Sequence, residues 1–415
     1  MPDVVVIGGG LIGMGIAWRC AQAGASVVVA DPSPGGGASR VAAGMLAPIT
    51  ELHYGETALL HLNLESNSMF PAFAAELEEL TGLPSGFHAS GTVAVGFDPD
   101  DMAVLDDLHD FQRSLGLAVE RLGSRETRRV EPLLAATVRG GLFVESDNQA
   151  DPRRLHAALL AAAENAGVVV QREQVAELLL AEAPGEAGPV EVSGRATGVR
   201  LTSGERIAAG TVVLAAGCWS ASVEGIPEAA VPPVRPVKGQ LLRLRRYPSP
   251  SAASDLGPLG TLRHAVRAVV EGSAVYIVPR PDGEVVVGAT SEELGFDTTV
   301  TAGAVYELLR DARALVPTIT ELALTEPAAG LRPGSPDNAP MLGESVLPGL
   351  VVATGHYRNG VLLTPITAAA IAELVATGET PEAIKPFTPL RFRPGAASSG
   401  ARRRLAAGDT GRRGT

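Results

Sequence analysis

VVVIGGGLIGMGIAWRCAQAGASVVVAD, residues 4–31, spells a strand, a glycine turn, a helix and a second strand that ends in an acid. The apolar run Val4 to Ile7 is followed by Gly8, Gly10 and Gly13, then small Ala17 and Ala21, Gly24, apolar Val27 to Val29 and Asp31. Gly8 permits the tight exit from the strand, Gly10 lets backbone approach a pyrophosphate with no Cβ in the way, and Gly13 with Ala17 lets the helix pack closely on the sheet. The diphosphate then sits on the helix N-terminus at Leu11 and Ile12, where unpaired N–H groups and the helix dipole offset its charge. About eighteen residues after Gly13, Asp31 can accept hydrogen bonds from an adenosine ribose and would repel a 2′-phosphate, which argues against NADP. Glycines after a strand often mark only a turn, but this complete spacing reads as dinucleotide binding.

A chain of 415 residues exceeds the size at which one core stops growing, so two intimately packed domains are expected. Apolar residues make up 46% of the chain, yet no apolar run approaches a membrane span and no basic segment precedes the first strand. A soluble protein without a signal peptide is the expectation. Two cysteines, Cys20 and Cys218, are too few for a disulfide framework, read as packing residues, and suit a reducing cytoplasm. The net charge is −12, and because Arg391, Arg393, Arg402 to Arg404, Arg412 and Arg413 face only Asp409 near the C-terminus, the rest of the chain is more acidic still. That balance excludes a nucleic-acid groove. The segment Gly395 to Thr415, with Ala, Gly, Ser and Arg and no apolar periodicity, is expected to be a disordered tail.

Beyond Asp31 a glycine-rich loop, PSPGGGASRVAAGMLAP, leads into a helical pattern from about residue 56 to 80. Further helical patterns fall near 100–115 and 124–130, and strands near 91–95 and 141–145. Asp151 and Pro152 read as N-cap and first position of a helix to about Ala166. Strands follow at 168–170, 175–182, 197–201 and 211–216, the second and third of these joined by a Gly, Glu and Pro-rich turn. From Val237 the texture turns to short β-rich segments, 239–245, 274–279 and 284–289, typical of an antiparallel sheet. A helix over 302–315 ends it. A buried strand at 350–353 and a helix stopping at Gly378 complete the chain, so the two domains interleave.

Three segments, ASRVAAGMLAP from Ala38, GLRPGSPDNAPMLG from Gly330 and GHYRNGVLLTP from Gly355, resemble the D-amino-acid oxidase superfamily, and within it the glycine oxidases of the thiamine pathway. The likeness runs in order from residue 3 to about 392. It implies an α/β fold in which a Rossmann-type FAD-binding domain (1–86, 142–225 and 328–392) interleaves with an antiparallel-sheet substrate domain (87–141 and 226–327), followed by a basic tail (393–415). It also implies non-covalent FAD without NAD, since the cysteine by which related sarcosine oxidases tether flavin is missing between Leu331 and Leu342. Carried over by position, Asp31 and Pro32 take the adenosine, Gly8 to Gly13 the pyrophosphate, and Val175 the adenine side. Ala216 and Gly217 form a second contacting strand end. Ala38, Ser39, Ala43, Gly44 and Met45 lie along the flavin, and His356, Tyr357, Arg358, Asn359, Gly360, Val361 and Leu362 approach the isoalloxazine, where N–H groups at the start of the last helix can offset charge on a reduced flavin.

An amino-acid substrate presents a carboxylate, and a dry pocket over a flavin then needs a fixed cation with forked donors. Arg332 matches the family position that pairs with it, Tyr276 matches its hydroxyl partner, and Arg358 is a second cation. The competing readings are a structural salt bridge for Arg332, an edge tyrosine for Tyr276 and a flavin-orienting role for Arg358. The chemistry implied is oxidative deamination of glycine with molecular oxygen, giving glyoxylate, ammonia and hydrogen peroxide, with no catalytic acid or base. His53, His61 and His88 do not have metal-like spacing. Ala274 stands where some glycine oxidases have a histidine, and Lys238 reads as structural. Sarcosine or small D-amino-acid oxidation, a non-catalytic flavin protein and an NAD-dependent dehydrogenase are the alternatives. The resemblance also implies a homotetramer, with no nucleic-acid or membrane partner.

Overall fold

The structure, a computed structural model, describes residues 1–181, 194–246, 262–270 and 272–393. The expected basic tail beyond residue 393, and most of the Gly, Glu and Pro-rich turn after 181, lie outside the described residues. Val4–Ile7 is the third strand from one edge of a six-stranded sheet in the order Met341–Glu344, Leu350–Thr354, Thr211–Leu214, Val4–Ile7, Val27–Ala30, Val169–Gln171. All neighbours are parallel except the outermost pair, Met341–Glu344 with Leu350–Thr354. Alternation explains why this strand is apolar throughout. Val4 and Val6 face a core shared with the helices Leu11–Gln22, Pro152–Asn165 and Thr364–Thr377, while Val5 and Ile7 face a second core beneath the three-stranded sheet of Val175–Ala181, Arg195–Leu201 and Arg206–Ala208. The helix Pro152–Asn165 starts as read, with the Asp151 carboxylate accepting the N–H of Arg153 at 2.9 Å.

An eight-stranded sheet forms the other half, ordered Ala323–Gly334, Arg235–Arg245, Glu284–Gly288, Ser273–Pro279, Ala265–Val270, Thr92–Gly96, Gly140–Val144, Glu120–Gly123. It is antiparallel apart from the parallel pair Thr92–Gly96 and Ala265–Val270. The amphipathic helix Ala302–Leu315 covers one face, where Leu308, Ala312 and Leu315 meet Val266, Ile277 and Val287. On the opposite face Leu241, Val278 and Val286 pack with Ala43, and Tyr276 and Met45 adjoin them. The period of two thus turns Tyr276 and Val278 toward the glycine-rich loop and Ile277 toward the helix.

The structure corrects several readings. Ala323–Gly334 is a strand that the sequence reading did not place. Among the described residues it pairs only with Arg235–Arg245, and an edge strand tolerates Pro327 and Pro333 because one side needs no ladder donors. Ala265–Val270 and Arg206–Ala208 are further strands not anticipated, and Arg235–Arg245 begins earlier than Gly239. The domain boundaries at 141/142 and 327/328 fall inside Gly140–Val144 and Ala323–Gly334, both of which hydrogen-bond within the eight-stranded sheet. The resemblance had implied those cuts, whereas ladder pairing decides where a strand belongs. No helix among the described residues is long and apolar enough to cross a membrane.

Candidate functional site: a dinucleotide cleft with an arginine at its far end

A cavity of about 520 Å³ opens beyond the C-terminal ends of the parallel strands and runs to the inner face of the eight-stranded sheet. This is where open α/β sheets leave room for ligands. Gly8, with φ of +106°, leaves the first strand so tightly that a Cβ would lie 2.5 Å from the carbonyl oxygen of Ala215. A Cβ on Gly13 would lie 1.9 Å from the carbonyl oxygen of Gly8, so the helix could not approach the strand. Gly13 therefore acts through packing and does not line the cavity, whereas Gly8, Gly10, Leu11 and Ile12 do. The helix N-terminus has no acidic residue in its first turn. Ser39 Oγ accepts the Leu11 N–H at 3.0 Å, tying the second glycine-rich segment to the first.

Asp31 also lines the cavity, its carboxylate held by the N–H of Gly9 at 2.6 Å and of Ser33 at 2.7 Å. Pro32, Ala38, Val175, Ala216 and Gly217 continue the wall. These features fit a dinucleotide cofactor: a cradle that Cβ atoms would fill, a positive helix end and an anchored acid at the tip of the second strand. Asp31→Ala is expected to weaken FAD binding about tenfold or more, by removing charged acceptors from both ligand and turn; titrating apoprotein with FAD and following flavin fluorescence checks this.

At the opposite end, Gly44 has φ of +79° and a Cβ there would lie 1.8 Å from the carbonyl oxygen of Ala150. The neighbouring Ala43 carbonyl accepts a hydrogen bond from Arg280, whose guanidinium also donates to Gln149 at 2.7 Å. Burial pulls Arg280 down to about 10. Nothing in the local sequence marked this arginine, because its partners are over a hundred residues away. His356 lines the cavity, buried, with Nε2 3.1 Å from Thr367 Oγ1, and burial pushes its imidazole down to about 3, so it is neutral. The Tyr357 N–H donates to the Pro333 carbonyl at 3.0 Å, which joins the GHYRNG turn to the strand bearing Arg332. Gly360 and Val361 line the cavity, but Leu362 is buried in the helical core with its carbonyl bonded to Ser66 at 2.6 Å, and Asn359 faces a small adjoining cavity. Both sit on the far side of the turn from the main cleft.

Arg332, Tyr276, Met45 and Arg358 meet at this end. Arg332 is half-buried and donates to the carbonyls of Lys238 at 3.4 Å and Thr290 at 3.2 Å; among the described residues it forms no ion pair. Its guanidinium occupies the space over Gly239, where a Cβ would lie 2.4 Å from Nη1, and Gly288 leaves similar room for the Tyr276 hydroxyl. Burial raises the Tyr276 phenol above its ordinary value against the opposing pull of Arg332. Arg358 is exposed, with its guanidinium carbon 4.9 Å from the centre of the Tyr357 ring. Lys238 is fully buried and bonds Asp297 at 2.5 Å. Ala274 is exposed and outside the lining. The sequence reading missed Glu51, which lines the cleft, and its ion-pair partner Arg267. Burial pushes the thiols of Cys20 and Cys218 up to about 12, and neither forms a disulfide. No group of three or more metal-ligating side chains occurs among the described residues.

The family model for FAD dependent oxidoreductases, DAO, matches residues 3–374. The bifunctional protein ThiO/ThiG of Nostoc sp. is 35% identical over 382 residues, which cover 90% of this chain and 52% of that protein. The chain thus spans about half the length of such bifunctional relatives. Glycine oxidase of Geobacillus kaustophilus is 33% identical over 389 residues, covering 93% of this chain and 96% of the relative. A crystal structure of glycine oxidase from the same organism superposes with a TM-score of 0.82 at 33% identity, covering 95% of this chain and 99% of that one. With cradle, cleft and family model in agreement over most of its length, the chain belongs to the DAO family of FAD-dependent oxidoreductases.

Proposed function

We propose that this protein catalyses the oxidative deamination of glycine: glycine, oxygen and water give glyoxylate, ammonia and hydrogen peroxide. The observation that carries the reading is Arg332, a half-buried guanidinium at the end of the cofactor cleft with no carboxylate partner among the described residues. A forked cation without a carboxylate beside a half-buried tyrosine is poised for an exogenous carboxylate. The similarity to glycine oxidases supports the choice of amino acid.

In this reading, the glycine cradle and Asp31 hold FAD, and Ala43 to Met45 with Gly360 and Val361 border its reactive end. When bound, the flavin supplies the two-electron acceptor for the substrate Cα–H and returns those electrons to oxygen. Arg332 fixes the substrate carboxylate through two parallel donors, and the Tyr276 hydroxyl donates a third hydrogen bond. Arg358, at the exposed rim, adds a second positive charge toward the substrate carboxylate. Holding the substrate in one orientation is the main contribution, so the chain needs no general base. The six-stranded half serves the cofactor and the eight-stranded half the substrate, with boundaries moved to the ends of Gly140–Val144 and Ala323–Gly334. A cytoplasmic setting and a homotetramer belong to the same reading, supported by the two unpaired thiols and by family resemblance respectively.

The test is to add glycine, sarcosine and D-alanine anaerobically to purified holoprotein. Glycine is expected to bleach the visible flavin band and release glyoxylate. Bleaching by sarcosine or D-alanine alone would transfer the assignment to those amines, and flavin that no amine reduces would indicate a non-catalytic flavin protein.

A further inference from the structure

Glu51 lines the same cleft as Arg332 and Tyr276, with one carboxylate oxygen taken by a cation of the sheet. Its carboxylate is engaged by Arg267, and both side chains are largely buried, 16% and 21% exposed. Arg267 stands directly opposite Tyr276 in the antiparallel ladder and shares its face of the sheet, and its Nη1 also reaches Met45 Sδ at 3.8 Å. The guanidinium is therefore behind Glu51, outside the cleft lining, and contacts the carboxylate from the sheet side.

The location matters because of the form in which glycine arrives. At neutral pH its amine is an ammonium, which has no lone pair. A hydride can leave Cα only as an amine lone pair forms the C=N bond, so the bound amine must be uncharged. With the carboxylate on Arg332, the amine lies within two bonds' reach of it, in the part of the cleft that Glu51 borders. A free carboxylate there would favour the ammonium. We propose that Arg267 is a positioning residue for the amine end of the substrate: by engaging Glu51 it withholds that carboxylate, so that glycine is held as the reactive, uncharged amine. The inference rests on the glycine reading given above.

Other charged groups surround this point. His53 and Glu56 follow Glu51 on its own segment, Tyr276 and Arg267 face it from the sheet, and Arg332 and Arg358 close the cleft. Beneath the segment, buried Asp147 accepts the N–H groups of Ile49 at 3.2 Å and Thr50 at 2.6 Å. Asp147 is pushed up to about 7 by its burial, against the hydrogen bonds from Thr50 and Ile49 and the charge of Arg267, so it is the protein group most able to imitate the proposed effect.

The experiment compares wild-type holoenzyme with Arg267→Gln, Arg267→Lys and the double variant Glu51→Gln/Arg267→Gln. The pH dependence of kcat with glycine reports the enzyme–substrate complex. In Arg267→Gln its acid-side midpoint is expected to move up by about 1 pH unit or more. Arg267→Lys, which keeps the cation, and the double variant, which removes both charges, are expected to retain the wild-type midpoint. Glycolate has a hydroxyl in place of the amine; its binding to oxidised holoprotein, measured calorimetrically, should weaken in Arg267→Gln by a factor independent of pH. An unmoved kcat midpoint in Arg267→Gln overturns the proposal. So does a pH slope shared by glycolate, which would assign the titration to Asp147 or His53, and so does a shift that persists in the double variant. Wild-type enzyme that does not oxidise glycine at all defeats the functional reading instead, which keeps the two failures distinct.

Discussion

Arg332→Ala is expected to bind FAD normally and unfold at the wild-type temperature, yet to lose about 2–4 kcal/mol of substrate binding, roughly 30- to 1000-fold in kcat/KM. The loss is large because the guanidinium is half-buried, its partners are the carbonyls of Lys238 and Thr290 and the Tyr276 hydroxyl, with no carboxylate among the described residues, and a substrate carboxylate would otherwise enter the cleft without its counter-charge. Most of the effect should appear as raised KM, since carboxylate pairing is present in ground and transition states alike. Arg332→Lys should fall between wild type and alanine, because a point charge cannot reproduce two parallel donors. Steady-state kinetics with glycine, alongside the flavin-to-protein absorbance ratio, decide it. Unchanged kinetics in Arg332→Ala would return this residue to a structural role.

Gly13→Ala is expected to be the most damaging single methyl in the chain's first fold unit. Its Cβ would lie 1.9 Å from the Gly8 carbonyl oxygen, and both partners are backbone, so only displacement of the whole helix Leu11–Gln22 relieves the clash. That displacement opens the contact between strand and helix on which the pyrophosphate cradle depends. Overpacking against backbone costs about 3 kcal/mol or more, and the variant should purify largely without flavin and melt well below wild type. Gly303→Ala makes the paired control. Gly303 lies in the helix Ala302–Leu315 with nothing within 4 Å of the added methyl, and alanine there should be neutral or stabilising by about 0.5–1 kcal/mol. Equal melting temperatures for the two variants would contradict the packing argument.

The parts legible in the sequence are those whose causes are local. The strand Val4–Ile7, its glycine turn and the following helix depend on neighbouring residues, as do the Asp151 cap and the helix Ala302–Leu315, whose ends match the reading. The strand Ala323–Gly334 was not legible because its prolines are tolerated only at a sheet edge, and edge position is a property of the assembled ladder. Of the cleft residues, Arg332 and Tyr276 were found through motif resemblance and do stand together. Glu51, Arg267 and Arg280 were not, since each is significant only through partners distant in sequence: Arg267 is 216 residues from Glu51, and Arg280 is 237 from Ala43. Conversely, Leu362 and Asn359 belong to a motif that does approach the cleft, but one turn has two sides and theirs faces away.

The most direct test of the central claim is a crystal structure of the FAD-loaded protein with glycolate bound. The account predicts the glycolate carboxylate forked on the Arg332 guanidinium, the Tyr276 hydroxyl within hydrogen-bond distance of it, and the carbon bearing the hydroxyl facing the flavin. Glycolate held elsewhere, or Arg332 turned away to pair with a carboxylate of the protein, would contradict it.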